Sequence, residues 1–563
     1  MTEIKNRLSG ADAIVRLLQQ HGVRHIFGLC GDTSLPLYDS LARLDHGIEH
    51  ILTRDERHAA YMADAYARLT NRVGVCEGPS GGGATYILPG VVEANDSSVP
   101  LLALTTDIAV SSRGKFTLTE LDQGALFAPL TKWNKVIDSA GEIPATLNRA
   151  FREATTGKPG AVHLGLPYDV QRDPVNGGVA GDPAYGIVPA ERQAGAPDDI
   201  TRAARLLAEA RRPMFICGGG VVTSGAEQVL RHLAERLDAP VATTITGQGA
   251  IAETHPLAVG VVGSNGGTPE TRAVVERADL IVFLACRAGS VTTERWRYPA
   301  PGATKVVQID IDRRVVGATY EPDAAVVGDA KLVLEALLGE FDGAAADTGA
   351  RVAVAEAKRA KFASFEVLAR SDTLPIRPER LVAELRAVMP ADGVVVVDPG
   401  TPCPYFSAYF ELPRSGRHLI SNRAHGALGY ALPAVIGATI ARPDAACVAV
   451  MGDGSFAMAA GEMETMVRLG LPVTLVVVSN ATFGWIRAGQ RHGYGSRFFA
   501  TSFGRTDHAR IAEAFGLTAR TVTDPRNLKP TLEQALAHDG PTLVDVICQP
   551  LDEANAPVSE WVA

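Results

Sequence analysis

Short apolar runs alternate with stretches of helical periodicity along most of this chain, and the alternation predicts parallel strands joined by helices. It is clearest at 447–479. CVAVMG (447–452) reads as a buried strand, 455–469 as a helix with Met458, Met463, Met466, Val467 and Leu469 among its apolar positions, and PVTLVVVS (472–479) as a second strand. The crossover in such a unit is right-handed and makes the two strands parallel. The same alternation runs from SGADAIVRLLQQHG (9–22) and HIFGLCG (25–31) to AVHLGLPYDV (161–170). It resumes from PMFICGGGV (213–221) through LIVFLAC (280–286) and KVVQIDID (305–312). A Gly/Pro-rich stretch around 175–198 and the Ala/Gly/Asp-rich FDGAAADTGA (341–350) punctuate it, and a charged helix is expected near 354–371. A chain of 563 residues exceeds one core. The expectation is α/β, with three doubly wound parallel-sheet domains at 1–185, 190–345 and 355–563. No short-period repeat is evident, and the first and third domains are candidates for a shared topology.

Polar residues close both apolar runs of 447–479. A GDGS turn (Gly452 to Ser455) ends the first, and Asn480, 27 positions after Asp453, ends the second. Open α/β sheets bind ligands at the carboxyl ends of their strands, so the Asp453 carboxylate and the Asn480 amide oxygen converge there. With the Thr482 carbonyl they leave room for phosphate oxygens around one octahedral Mg²⁺. GDGS alone is a common turn, and an Asn at a strand end usually caps one, so neighbouring segments decide between the readings.

GDG followed by 25–30 residues ending in Asn resembles the diphosphate-binding signature of thiamine-diphosphate enzymes. Three other segments carry the same resemblance, closest to acetolactate synthases and related 2-oxo acid decarboxylases. In LTRDERHAAYMADAYAR (52–68), Glu56 sits where those enzymes carry the glutamate that promotes the imino tautomer of the cofactor. The bland reading of Glu56 is a solvated charge at a helix start. VGVCEGPSGGGATYILPGVVEAN (73–95) is similar to the strand, glycine turn and helix of the pyrimidine-binding domain. NRAHGALGYALPAVIGATIA (422–441) resembles the segment that holds the aminopyrimidine, which implies the Gly426 carbonyl as its acceptor and Leu428 as the wedge bending the cofactor. Gly400 and Thr401 match diphosphate contacts, and Gly452, Gly454, Ser455 and Gly484 complete the implied cradle. The three domains become pyrimidine-binding, central Rossmann-like and diphosphate-binding. The family's sites form between subunits, which implies a homodimer or homotetramer.

Substrate positions depart from the biosynthetic synthases. Leu118, Thr119 and Glu120 stand where those carry phenylalanine, glutamine and glutamate, and Gly489 stands at their substrate-selecting tryptophan. Gly31-Asp32 resembles the Gly-Asp of pyruvate-type decarboxylases, where an acid protonates after carbon dioxide leaves, but Asp32 can equally cap its turn. The paired histidines of those decarboxylases are missing from 108–123. His425 and His492 are proton-transfer candidates or structural histidines, and Trp561 is a lid anchor or a packing residue. The central domain could hold FAD, as in the synthases, or ADP, as in acyl-CoA relatives. Arg287, IDID (309–312) and GSNGG (263–267) are its weak signals. The resemblance implies carboligation of a decarboxylated 2-oxo acid to an aldehyde or ketone. Alternatives are non-oxidative decarboxylation, a 2-hydroxyacyl-CoA lyase and, from another class, a noncatalytic nucleotide-sensing protein on the same fold.

A formal charge of −9 supplies no basic field for nucleic acid. MTEIKNRLSG lacks the apolar core of a signal peptide, and no run approaches the ~20 apolar residues of a membrane span, so a cytoplasmic enzyme is expected. Seven scattered cysteines without a CxxC read as buried thiols.

Overall fold

Parallel sheets are covered on both faces, so their strands are largely apolar, as in the buried runs Val394–Val397, Cys447–Met451 and Val473–Val478. The computed structural model describes residues 8–341 and 346–561. The N-terminal decapeptide, the stretch 341–350 and the tail 551–563 lie partly outside them.

Among the described residues, eighteen strands form three six-stranded sheets. The first contains β1 (His25–Gly28), β2 (Glu49–Leu52), β3 (Gly74–Gly78), β4 (Leu101–Asp107), β5 (Trp133–Val136) and β6 (Ala161–Pro167), in the order β2-β1-β3-β4-β6-β5. The second contains β7 (Pro213–Cys217), β8 (Val241–Thr243), β9 (Ala258–Val261), β10 (Leu280–Leu284), β11 (Lys305–Asp310) and β12 (Ala324–Val327), in the order β12-β11-β10-β7-β8-β9. The third contains β13 (Val394–Val397), β14 (Leu419–Ile420), β15 (Cys447–Gly452), β16 (Val473–Ser479), β17 (Thr518–Val522) and β18 (Thr542–Ile547), in the order β14-β13-β15-β16-β18-β17. All named pairs are parallel, and the first and third sheets share one strand order. The expected α/β class with three doubly wound sheets is what the chain adopts.

Packing divides the chain into two units. One holds residues through Glu191 together with Ala424–Pro443, and the other holds Arg192–Arg423 with the residues from Asp444 onward. In the first unit the helix Glu56–Thr70 starts at Asp55, whose side chain accepts the Arg57 N–H, and stops at Asn71 in the left-handed conformation. The helix Ala431–Ala441 lies on it so closely that a Cβ on Gly437 would sit 2.1 Å from the Met62 carbonyl oxygen. Only glycine permits that approach.

The strands expected at 447–452 and 472–479 are β15 and β16, but the single helix expected over 455–469 is not there. Short pieces, Asp453–Phe456, Ala460–Glu462 and Met463–Arg468, replace it. The break falls at Ala459–Gly461, where glycine weakens the helix and the buried Glu462 carboxylate takes the Thr465 hydroxyl at 2.6 Å. Six of the seven cysteines are buried, Cys30 is exposed, and all are free thiols.

Candidate functional site

In the second unit, β13, β15 and β16 are neighbours, and their carboxyl ends gather the polar residues that the spacing singled out. Asp453 follows β15 and is buried. Its Oδ2 accepts the N–H groups of Asn480 (2.8 Å) and Ala481 (2.6 Å), and its Oδ1 that of Gly454 (2.9 Å). Burial pushes its pKa up while those amides oppose the shift. One carboxylate therefore ties the end of β15 to the end of β16. Asn480 Oδ1 takes the Thr482 amide at 3.2 Å and hydroxyl at 3.0 Å. A carboxylate, an amide oxygen and a backbone carbonyl make an oxygen-only donor set, suited to a hard divalent cation.

Two helix starts follow strands at the same end of the sheet. Gly400, with φ of 103°, and Thr401 lead into the helix Pro402–Tyr409, and Gly484 opens the helix Gly484–Gly493. The two turns touch, since a Cβ on Gly484 would lie 2.7 Å from Thr401 Oγ1. Such helix starts favour a phosphate group. Gly452 caps the Asp453 turn, Gly454 lies under the Phe483 ring, and the Ser455 hydroxyl donates to Asp398 at the end of β13. Sequence reading passed over His508, a buried ring 3.0 Å from Ser479 Oγ and 3.4 Å from Asp545 Oδ1. A proton on that ring would favour the ionised form of Asp453.

In the first unit Glu56 is the first residue of its helix and 6% exposed. Burial raises its pKa, its own backbone amide opposes this, and Asp55 raises it further. The glycine turn wraps it: a Cβ on Gly83 would lie 3.1 Å from Glu56 Oε1, and one on Gly78 would lie 3.2 Å from its Cγ. The solvated-charge reading of Glu56 does not match that burial. Gly426, with φ of 73°, and half-buried Leu428 belong to a segment held from below by Glu93, which has no exposed surface. Glu93 accepts the N–H groups of His425 (2.7 Å) and Ala424 (3.2 Å), the Ser97 hydroxyl (2.6 Å) and the Arg68 guanidinium (3.1 Å). Arg68 also binds Asp64 at 2.8 Å, and Asp64 accepts the Tyr430 hydroxyl at 2.5 Å. Asp64 and Glu93 outweigh the burial of Arg68 and keep it cationic.

Asp32 is exposed and takes the Thr33 N–H at 2.9 Å within its own turn. The preceding residue fixes that turn against the glycine loop, because a Cβ on Gly31 would lie 2.4 Å from Pro79 Cβ. His425 has an exposed side chain, and its backbone is what Glu93 holds. His492 stacks on Trp561 with centroids 5.3 Å apart, Trp561 also meets Trp485, and Gly489 lies under Trp561. Beyond the end of β10 Arg287 is exposed, and at the end of β11 Asp310 accepts the Asp312 N–H at 2.9 Å inside its own turn.

The chain is similar to known proteins over nearly its whole length. Residues 8–126 match the thiamine pyrophosphate enzyme N-terminal TPP binding domain, 200–337 the central domain, and 398–546 the C-terminal TPP binding domain. A probable acetolactate synthase large subunit of Methanocaldococcus jannaschii is 35% identical over 560 residues, covering 97% of this chain and 93% of that protein. The acetolactate synthase of Arthrospira platensis is 33% identical, covering 96% and 94%, and the acetolactate synthase large subunit of Pyropia yezoensis 30% identical, covering 98% and 93%. No helix among the described residues is long and apolar enough to cross a membrane. Glycine-wrapped glutamate and strand-end aspartate thus fall in the two TPP-binding domains, and the chain belongs to the thiamine-diphosphate-dependent enzymes, in their acetolactate-synthase-like branch.

Proposed function

We propose that this protein is a Mg²⁺-dependent carboligase that decarboxylates a 2-oxo acid and joins the remaining acyl unit to an aldehyde or ketone. The observation that carries the reading is Asp453 tying the ends of β15 and β16 together with Asn480 beside it, in a chain similar over nearly its full length to acetolactate synthases. Thiamine diphosphate, when bound, supplies the carbanion and the electron sink. Asp453, Asn480 and the Thr482 carbonyl would hold the metal, and their oxygen-only character fits it. Gly400, Thr401, Gly452, Gly454, Ser455 and Gly484 receive the diphosphate with amides and a hydroxyl. The Gly426 carbonyl and Leu428 orient the aminopyrimidine, and Glu93 fixes their segment. Glu56, kept from water by the glycine turn, holds and returns the activating proton at its carboxyl oxygen. The reading takes domains at 1–185, 190–345 and 355–563, in a cytoplasmic homodimer or homotetramer with sites between subunits. Light scattering on the active species tests the assembly.

One observation favours simple decarboxylation as the second reading: the Gly31-Asp32 turn packs on Pro79, beside the loop that wraps Glu56. Proton NMR of products from pyruvate and bulkier 2-oxo acids, with thiamine diphosphate and Mg²⁺, separates the two. A ligated hydroxyketone supports carboligation, and free aldehyde supports decarboxylation with Asp32 as proton donor. Glu56→Gln should bind thiamine diphosphate and lose turnover, whereas Asp453→Ala should lose metal-dependent binding. Full activity of Glu56→Gln refutes its assigned role.

A further inference from the structure

Glu77 lies inside β3, has no exposed surface and has no part in the site described above. Its Oε1 accepts the Ser34 hydroxyl at 2.6 Å, and its Oε2 accepts the Tyr38 hydroxyl at 2.8 Å. From Ser34 a line of hydroxyls continues. Ser34 Oγ is 3.2 Å from Thr106 Oγ1, Thr106 is 2.7 Å from Thr33 Oγ1, Thr33 is 3.1 Å from Ser80 Oγ, and Ser80 is 2.8 Å from Thr119 Oγ1. In the other direction Tyr38 lies 2.9 Å from Nε2 of half-buried His50 on β2. When Tyr38 donates inward to Glu77, His50 carries its proton on Nε2.

We propose that Glu77 is the central relay of a built-in proton path, running from His50 and Tyr38 inward through Ser34, Thr106 and Thr33 to Ser80 and Thr119. The inner end is the loop that wraps Glu56, because Ser80 belongs to the turn whose Gly83 approaches Glu56 Oε1. The proposal rests on the carboligase reading in one respect, the need for a proton. When a 2-oxo acid anion loses carbon dioxide and its acyl unit bonds to a carbonyl acceptor, the product hydroxyl takes up one proton for each carbon dioxide released. The path balances that demand. Each hydroxyl accepts a proton on one lone pair and passes on its own, so all are regenerated, and the Glu77 carboxyl refills from the Tyr38 side.

Burial raises Glu77 to about 7 even though Ser34 and Tyr38 oppose the shift, and the neighbouring Glu56 charge adds to it. The groups around it are Glu56 from the helix Glu56–Thr70, Tyr38 and His50 from the outer side, Cys30 near Tyr38 and Cys76 on the same strand. Burial and Glu77 both raise Tyr38, which therefore stays a neutral hydroxyl. A carboxyl half protonated near neutrality both gives and takes a proton with little free-energy difference.

Two measurements test the path in the full-length protein. Infrared spectroscopy without substrate should show a protonated-carboxyl band that titrates near neutrality and disappears in Glu77→Gln. Its exchange into D₂O should slow at least tenfold in Tyr38→Phe, which removes the outer hydroxyl. With thiamine diphosphate, Mg²⁺ and a 2-oxo acid, Glu77→Gln and Ser34→Ala should lower kcat at least tenfold, leave cofactor binding unchanged and flatten the alkaline limb of the pH profile. Turnover and pH profiles within twofold of wild type in both variants would overturn the path. So would carboxyl exchange that Tyr38→Phe does not slow. If wild type turns over no 2-oxo acid, the carboligase reading has failed, and the exchange rates alone decide the path.

Discussion

Glu93→Gln tests how the first unit holds the segment carrying Gly426 and Leu428. The substitution keeps the size of a side chain with no exposed surface, removes its charge and turns one acceptor atom into a donor facing other donors. The two close backbone bonds, from His425 at 2.7 Å and Ala424 at 3.2 Å, are then made to a neutral acceptor or lost. A hydrogen bond to a charged group contributes ~1.5–3 kcal/mol and a neutral one ~1 kcal/mol, so two such bonds lose about 2 kcal/mol together. With every ~1.4 kcal/mol a factor of ten, local opening and amide exchange at 424–425 should rise roughly thirtyfold. Hydrogen-exchange mass spectrometry reads this directly, with the fully buried strand β4 as the reference for global opening. The reasoning is refuted if exchange at 424–425 stays at the wild-type rate, because Glu93 would then not be what holds the segment. It is also refuted if 424–425 and β4 accelerate equally, since the effect would be general rather than local.

Two further outcomes follow from close packing and from burial. Gly437→Ala gains ~1 kcal/mol of helix propensity, but its Cβ would stand 2.1 Å from the Met62 carbonyl oxygen, so the helices must part at a cost of ~1–3 kcal/mol. The net loss of up to ~2 kcal/mol should lower the first thermal transition by a few degrees, and a higher midpoint would sink the argument. Glu77 is raised from its ordinary value of 4.5 to about 7, so the folded state binds its proton more tightly than the unfolded chain does. Its contribution is complete below pH 4.5, declines as pH rises through 7 and amounts to about 3 kcal/mol. The stability difference between wild type and Glu77→Gln should shift in the variant's favour between pH 5 and pH 8, and a flat difference would contradict it.

Strands with both faces buried are apolar almost end to end, which is why 447–452 coincides with β15 and 472–479 begins one residue before β16. Apolar spacing predicts one unbroken helix between them because it does not register a glycine beside a buried acid, here Gly461 and Glu462. Asp453 and Asn480 were legible because they sit at strand ends at a telling distance. Glu93 and His508 were not, since a single acid in a helix or a single histidine has no spacing, and only burial distinguishes it from a surface residue. Glu77 did leave a trace, a carboxylate within the apolar run VGVCEG (73–78), where a side chain has no water to turn to.

The buried acids of the first unit show why position alone does not assign their work. Glu93 is held by a cation and by amides, so its charge serves structure. Glu77 is held by two hydroxyls, which bond either protonation state and so leave its proton free to move. Glu56 is raised by burial and by Asp55, with its own amide as the opposing influence, so its protonated form is favoured relative to an exposed glutamate. On the roles proposed above, these three carboxyl groups divide by their partners into an anchor, a relay and an activator. A cation placed beside Glu56 would turn the activator into an anchor, and the glycines at 78 and 83 leave that side of it without a side chain that could carry one.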